Sequence, residues 1–213
     1  MRKSKWGLPL VLFPALICLQ SACAQTLHQQ NLKLVSEQEK VQNTTVLLNN
    51  APSLVPLENL EKAKVASVHF LYPYAAPFDS LLNKYTRVEA FNGSSYTGMQ
   101  NLNNLTDDLK MYNTLVVELT EADMNDARVL SFITSNQQLK HVIVVLFGRG
   151  GNLAKLTGVS CPVLWSENLS PVSASFCAQA VFGGVPLTQK LKRTYSRAYT
   201  AGSGFVTFKT RLE

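Results

Sequence analysis

Two stretches decide the fold: Thr114–Leu119, reading TLVVEL, and His141–Phe147, reading HVIVVLF and running into Gly148-Arg149-Gly150-Gly151. Each is short, rich in β-branched residues and nearly continuous in its apolar character. A strand open to water on one side alternates, whereas a run like Val142–Phe147 fits burial on both faces, the mark of a parallel sheet. Similar runs occur at Lys64–Leu71 (KVASVHFL), Arg87–Phe91 (RVEAF) and Pro162–Trp165 (PVLW), all closed by Pro, Gly, Asn or Ser. Segments with helical spacing lie between or after them: Phe78–Tyr85, Leu102–Met111, Asp126–Leu139, Asn152–Leu156 and Val172–Phe182. Strand–helix alternation predicts an α/β fold: a flavodoxin-like, doubly wound, mostly parallel sheet of five to six strands in an α/β/α sandwich.

Outward from this centre, Leu27–Leu48 reads as a helix, with Leu27, Leu34, Val41 and Leu48 at intervals of seven, ending before Asn49-Asn50-Ala51-Pro52. After Gly183-Gly184, Lys190–Tyr195 and Phe205–Thr210 alternate and predict an edge strand or hairpin around Gly202-Ser203-Gly204. Lys190, Lys192 and Arg193 alternate in the manner of a solvated strand edge. The expected organisation is a leader over 1–24, a helix and lead-in loop over 25–63, and the sandwich over 64–213.

The 213 residues are 46% hydrophobic and 16% charged, enough for one domain with a core and too few for two full ones. Four cysteines exclude a disulfide-dense scaffold. The formal charge of +6 owes three charges to Arg2, Lys3 and Lys5; residues 25–213 hold 17 Lys and Arg against 14 Asp and Glu, a balance that gives no sign of a nucleic-acid partner. The charged start, the apolar run Gly7–Leu19 and the small residues Ser21-Ala22-Cys23-Ala24 predict an export signal. Two cleavage chemistries remain open: release after Ala24, or a lipobox that acylates Cys23 and tethers the chain to a membrane. Either implies a periplasmic or outer-membrane-associated location in a Gram-negative bacterium. Of the other cysteines, Cys161 opens a strand and Cys177 lies in a helix, and both are expected to be buried thiols. Asn43, Asn92, Asn104 and Asn168 stand in N-x-S/T triplets, which would accept glycans in a eukaryotic secretory pathway but which Asn-rich bacterial proteins also produce by chance.

In an open α/β sheet ligands bind beyond the carboxyl ends of the strands. Those ends bring together Tyr72, Tyr74, Tyr96, Arg149, Gly150, Glu167 and Asn168, a mix suited to a sugar or a protein interface. Gly148–Gly151 opens a helix, where backbone amides and Arg149 could hold an anion, yet it is neither a P-loop nor a dinucleotide fingerprint. Glu121 and Glu167 are the candidates for an acid/base pair. His28, His69 and His141 stand apart, no metal-ligand spacing occurs, and no G-x-S-x-G elbow is present. No cofactor is indicated.

Several segments taken in order resemble a known family. Asn43–Leu57 (NTTVLLNNAPSLVPL) is similar to the lead-in of the C-terminal α/β sandwich domain of glycoside hydrolase family 3, and Lys64–Phe70 to its first strand. His141–Gly148, Pro162–Asn168 (PVLWSEN), Ala178–Lys190 (AQAVFGGVPLTQK) and Ala201–Leu212 (AGSGFVTFKTRL) resemble later parts of that domain, as found in β-N-acetylglucosaminidase-like and β-glucosidase-like members. In that family the nucleophile belongs to an N-terminal (β/α)8 barrel, for which this chain has no room. The resemblance therefore implies an exported, non-catalytic accessory domain in carbohydrate metabolism, docking on a (β/α)8 glycosidase partner or binding glycan. Two other readings stay open: a subunit of a split glycosidase hydrolysing O-glycosyl bonds, to which Glu167 or Glu121 would supply an acid/base group, and the remnant of a truncated hydrolase gene.

Overall fold

The computed structural model describes residues 29–96 and 102–209. The leader over 1–24, with Cys23, lies outside the described residues. The chain divides into two compact units, Met1–Glu37 and Gln38–Glu213. In the first, residues 29–37 are helical, and Leu32, Leu34 and Val35 are exposed.

The second unit is built on one six-stranded sheet. Its strands are β1 (Val46–Leu48), β2 (Val65–His69), β3 (Val88–Asn92), β4 (Thr114–Leu119), β5 (His141–Phe147) and β6 (Val163–Ser166), in the spatial order β1-β6-β5-β4-β2-β3. All neighbours are parallel except β1, which pairs antiparallel to β6 with Leu47 opposite Leu164. The helix that runs over residues 29–42 is α1, followed by α2 (Ala75–Leu82), α3 (Asn103–Asp108), α4 (Ala127–Asn136) and α5 (Pro171–Val181).

The strand order explains which helix covers which face. Leu102, Leu105 and Leu109 of the α3 region, Val129, Phe132 and Ile133 of α4, and Leu153 and Leu156 pack with Val117 and Val144 on one face. Phe78 and Leu82 of α2 and Ala174, Cys177 and Val181 of α5 pack with Val116, Ile143 and Val145 on the other. Connections advancing from β3 toward β6 cross the first face; β2 to β3, which runs the opposite way, crosses the second. A uniformly right-handed crossover requires this division. It is the flavodoxin-like, doubly wound sandwich that the alternating runs imply, with β2 as its first parallel strand.

Three expectations need correction. The helix expected to reach Leu48 ends at residue 42, and Val46–Leu48 is instead an edge strand. Thr44, Thr45 and Val46 are β-branched, and Val163–Trp165 offers them a partner edge. Because β1 belongs to the sheet, the sandwich does not begin at residue 64; its compact unit starts at Gln38. The region after Gly184 forms no strand ladder among the described residues. Gln189 and Phe205 instead make isolated bridges to Val46 and Leu47, closing the open side of β1.

Cys161 and Cys177 are buried thiols in different cores, Cys161 on the α4 face and Cys177 on the α5 face. Burial pushes the Cys161 thiol up to about 12 and raises that of Cys177 as well. A thiol-reactive dye at pH 8 is therefore expected to leave both unlabelled in the native chain and to label both in denaturant. Phe147→Ala, emptying a fully buried ring site, is expected to cost about 3–5 kcal/mol in denaturant unfolding.

Candidate functional site at the carboxyl edge of the sheet

The strand order reverses between β2 and β4, because the chain leaves β2 toward β3 on one side and later returns to β4 on the other. At such a switch point the diverging loops open a crevice with free backbone amides. Here the protein fills it with its own carboxylate. Asp123, 2% exposed, accepts from the Leu71 amide (3.1 Å) through Oδ1, and from the Thr120 amide (2.7 Å) and hydroxyl (2.8 Å) through Oδ2. One side chain thus ties the end of β2 to the end of β4 and occupies the position an anion would take.

Beside it, at the ends of β4 and β5, lies an open cleft of about 480 Å³ lined by Glu121, Asn125, Arg149, Asn152 and Lys155. Arg149 donates to Glu121 from its amide (2.5 Å), Nε (3.1 Å) and Nη2 (3.0 Å). These hydrogen bonds hold the Glu121 carboxyl below its ordinary range. Gly148, at φ 126°, is required for the approach: a Cβ there would run into the Glu121 side chain. Lys155 donates to Asn125 Oδ1 (2.7 Å). The cleft is polar and hydrogen-bonding, and its carboxylate is held ionised, the opposite of what a proton donor needs.

The other edge residues fall elsewhere. Glu167 is exposed beside Trp165, Lys190, Lys192, Arg193 and Tyr195 in a smaller depression at the end of β6, separated from Glu121 by the whole of β5. Asn168 donates to Thr44 Oγ1 (3.1 Å). Tyr96 gives its hydroxyl to Asp108 (2.7 Å) near the far end of the sheet. Gly150 is buried against the Tyr195 ring. Tyr72 is a correction: it is 4% exposed and stacked on Phe147 at 4.6 Å, with Phe78 and Tyr74 edge-on. The chain turns back over the sheet after β2, so this ring serves the core. Tyr74 remains half-buried.

A polar cluster that sequence reasoning missed lies under α2. Ser67, Asp79 and Glu118 are buried among apolar side chains, with Glu118 fully inaccessible. The Ser67 hydroxyl lies 2.7 Å from Glu118 Oε1 and also contacts Asp79 Oδ1. A hydroxyl carries one proton, so one of the two carboxyls must itself be protonated to complete the chain. Burial, and then the nearby Asp79, push the Glu118 carboxyl well above its ordinary range. Glu118 is therefore the neutral member. Its Oε2, the Tyr72 hydroxyl and His69 Nδ1 have no hydrogen-bond partner among the described residues. The signal available in the sequence was a glutamate inside an otherwise apolar central strand.

Neither family models nor curated protein sequences match this chain. Solved structures do. The fold is similar to part of a fungal multi-domain family 3 β-N-acetylglucosaminidase described as carrying a GCN5-related glucosamine N-acetyltransferase region. That match has a TM-score of 0.58 and 13% identity over 70% of this chain and 17% of that one. It is also similar to part of a family 3 β-N-acetylglucosaminidase from Paenibacillus sp. FPU-7, with a TM-score of 0.51 and 10% identity over 68% of this chain and 29% of that one. The chain thus spans less than a third of either enzyme. The resemblance in fold read from the sequence motifs is the resemblance found in space, and among the described residues there is one open sheet and no barrel.

Asp123→Ala removes three hydrogen bonds to a buried carboxylate and is expected to lower the unfolding free energy by about 3 kcal/mol. For Glu118 the folded chain keeps a proton that the unfolded chain loses above the usual carboxylate range. Stability then falls as pH rises toward the raised folded value, by at most about 1.4 kcal/mol per pH unit. Glu118→Gln stays neutral throughout, so its stability relative to the parent should rise steadily between pH 5 and 8 in denaturant titrations; a constant difference would refute a protonated Glu118.

Proposed function

We propose that this chain is an exported, non-catalytic accessory domain of the glycoside hydrolase family 3 type, which presents the carboxyl edge of its sheet to a (β/α)8 glycosidase partner. The observation that carries the reading is the pairing of a closed crevice with an open polar cleft. Asp123 fills the switch point where a doubly wound domain would hold a small ligand, and the adjoining surface offers Arg149, Asn125, Asn152 and Lys155 to a partner. The planar fork of an arginine binds carboxylates and carbonyls in a fixed geometry. Glu121 is held ionised by Arg149, and Glu167 lies one strand beyond, which supports assembly over proton transfer at this edge.

The two similar structures are regions of β-N-acetylglucosaminidases, so the partner proposed is a barrel acting on N-acetylglucosaminides, and the edge binds the same glycan class if it binds sugar. Export to the periplasm or the outer membrane follows from the leader read in the sequence.

The purified chain, immobilised and exposed to periplasmic extract, should retain hydrolytic activity on an aryl N-acetylglucosaminide while showing none alone. Tyr74→Ala combined with Arg149→Ala should abolish retention without shifting the melting temperature by more than a few degrees. Unaltered retention by the double variant would remove the edge from the assignment. Hydrolysis by the isolated chain, lost in Glu167→Gln or Glu121→Gln, would replace it with the enzyme reading.

A further inference from the structure

The helix α2 is held differently from α4 and α5. Ser170 caps α5 through the Ser173 amide, and the Asp126 carboxylate caps α4 through the Arg128 amide. At the start of α2 stands Tyr74, whose side chain makes no cap. Eight residues with Pro77 in the first turn are too few for a helix stable on its own, so α2 depends on what it packs against. That is α5 and the second face of the sheet, where Phe78 and Leu82 are fully buried.

Of the four buried residues of α2, Ala75, Phe78, Asp79 and Leu82, only Asp79 is polar. It meets the Ser67 hydroxyl, which in turn lies 2.7 Å from Glu118 Oε1. With Glu118 neutral, its proton goes to Ser67 Oγ and the Ser67 proton to Asp79, a chain that runs from β4 through β2 to α2. The register sets His69 on β2 and the apolar Val145 on β5 opposite Glu118. Tyr72 lies near both carboxyls, with Tyr74 and Cys177 of α5 on its other sides. Among the described residues neither carboxyl has a lysine or arginine partner. Loss of the proton leaves two buried carboxylates about one hydroxyl with no cation to offset them.

We propose that α2 is a proton-held cover, which opens from the sheet when the shared proton leaves while the strands beneath stay paired. Once in water, Glu118 gives up its proton above the usual carboxylate range. Opening therefore releases one proton to solvent, and the open population rises about tenfold per pH unit. The rise lasts until pH reaches the range to which burial lifts the closed Glu118 carboxyl. Unfolding of the whole domain releases the same proton, so the cover is distinguished by an α5-side core that opens while the other face stays shut.

The two buried thiols report the two faces separately. Cys177 shares its core with Phe78 and Leu82 of α2, and Cys161 lies on the α4 face. In the full chain, the slow labelling forced by excess thiol reagent over days would be followed from pH 6 to 8, with each cysteine scored by peptide mass. While the helix recloses faster than the reagent reacts, the rate follows the open population. Ionisation of an exposed thiol alone adds about a tenfold rise per pH unit in this range, so the Cys177 rate should climb by up to about a hundredfold per unit and exceed that of Cys161. Glu118→Gln has no proton to release and should return Cys177 to the slope of thiol ionisation alone. That lower slope in the parent chain, an unchanged slope in Glu118→Gln, or equal rates at the two cysteines would overturn the proposal. Equal rates would assign the opening to unfolding of the whole domain.

Discussion

The carboxylate of Asp123 sits where this fold is hardest to close. A doubly wound sheet must reverse its strand order somewhere, and at the reversal the chains leaving β2 and β4 diverge to opposite faces, exposing amides with no strand to receive them. Many such proteins leave the gap for a ligand. Here Asp123 receives the Leu71 and Thr120 amides and the Thr120 hydroxyl, so the two halves of the sheet are joined by the protein itself. The neighbouring Glu121 is then displaced to the surface, where Arg149 takes it. The cleft that remains is a consequence of that closure.

A second constraint lies a layer below. Ser67 and Glu118 project from adjacent central strands toward Asp79 on α2, in a region otherwise filled by Phe78, Leu82 and Val116. An all-apolar replacement of similar volume would pack at least as well. The polar trio instead fixes where α2 lies on the sheet, because only one position lets a single hydroxyl serve both carboxyls. Its dependence on a retained proton links the seating of α2 to pH.

How much of this is legible in the sequence differs by element for physical reasons. The central strands Thr114–Leu119 and His141–Phe147 match their apolar runs residue for residue, since burial on both faces makes each run nearly continuous and sets it off from the polar turns that flank it. The three-residue β1 reads as helix, because its apolar residues continue a seven-residue spacing and only the distant Val163–Trp165 reveals a strand. Counting from the strand end places Tyr72 at the edge, and such counting cannot show a chain folding back over its own sheet. Arg149 and Glu121 each stand out in the sequence, but their pairing depends on Gly148 adopting a positive φ. Asp123 gives only a local signal, a carboxylate three residues after Thr120.

The distribution of charge follows the same layout. Across the central sheet basic and acidic groups nearly balance, and where they meet, as at Arg149 and Glu121, they neutralise each other at close range. The C-terminal segments lie outside that balance because they cover an edge strand whose unpaired amides and carbonyls would otherwise invite another strand. Lysines on such an edge discourage pairing by repulsion, which accounts for Lys190 and Lys192.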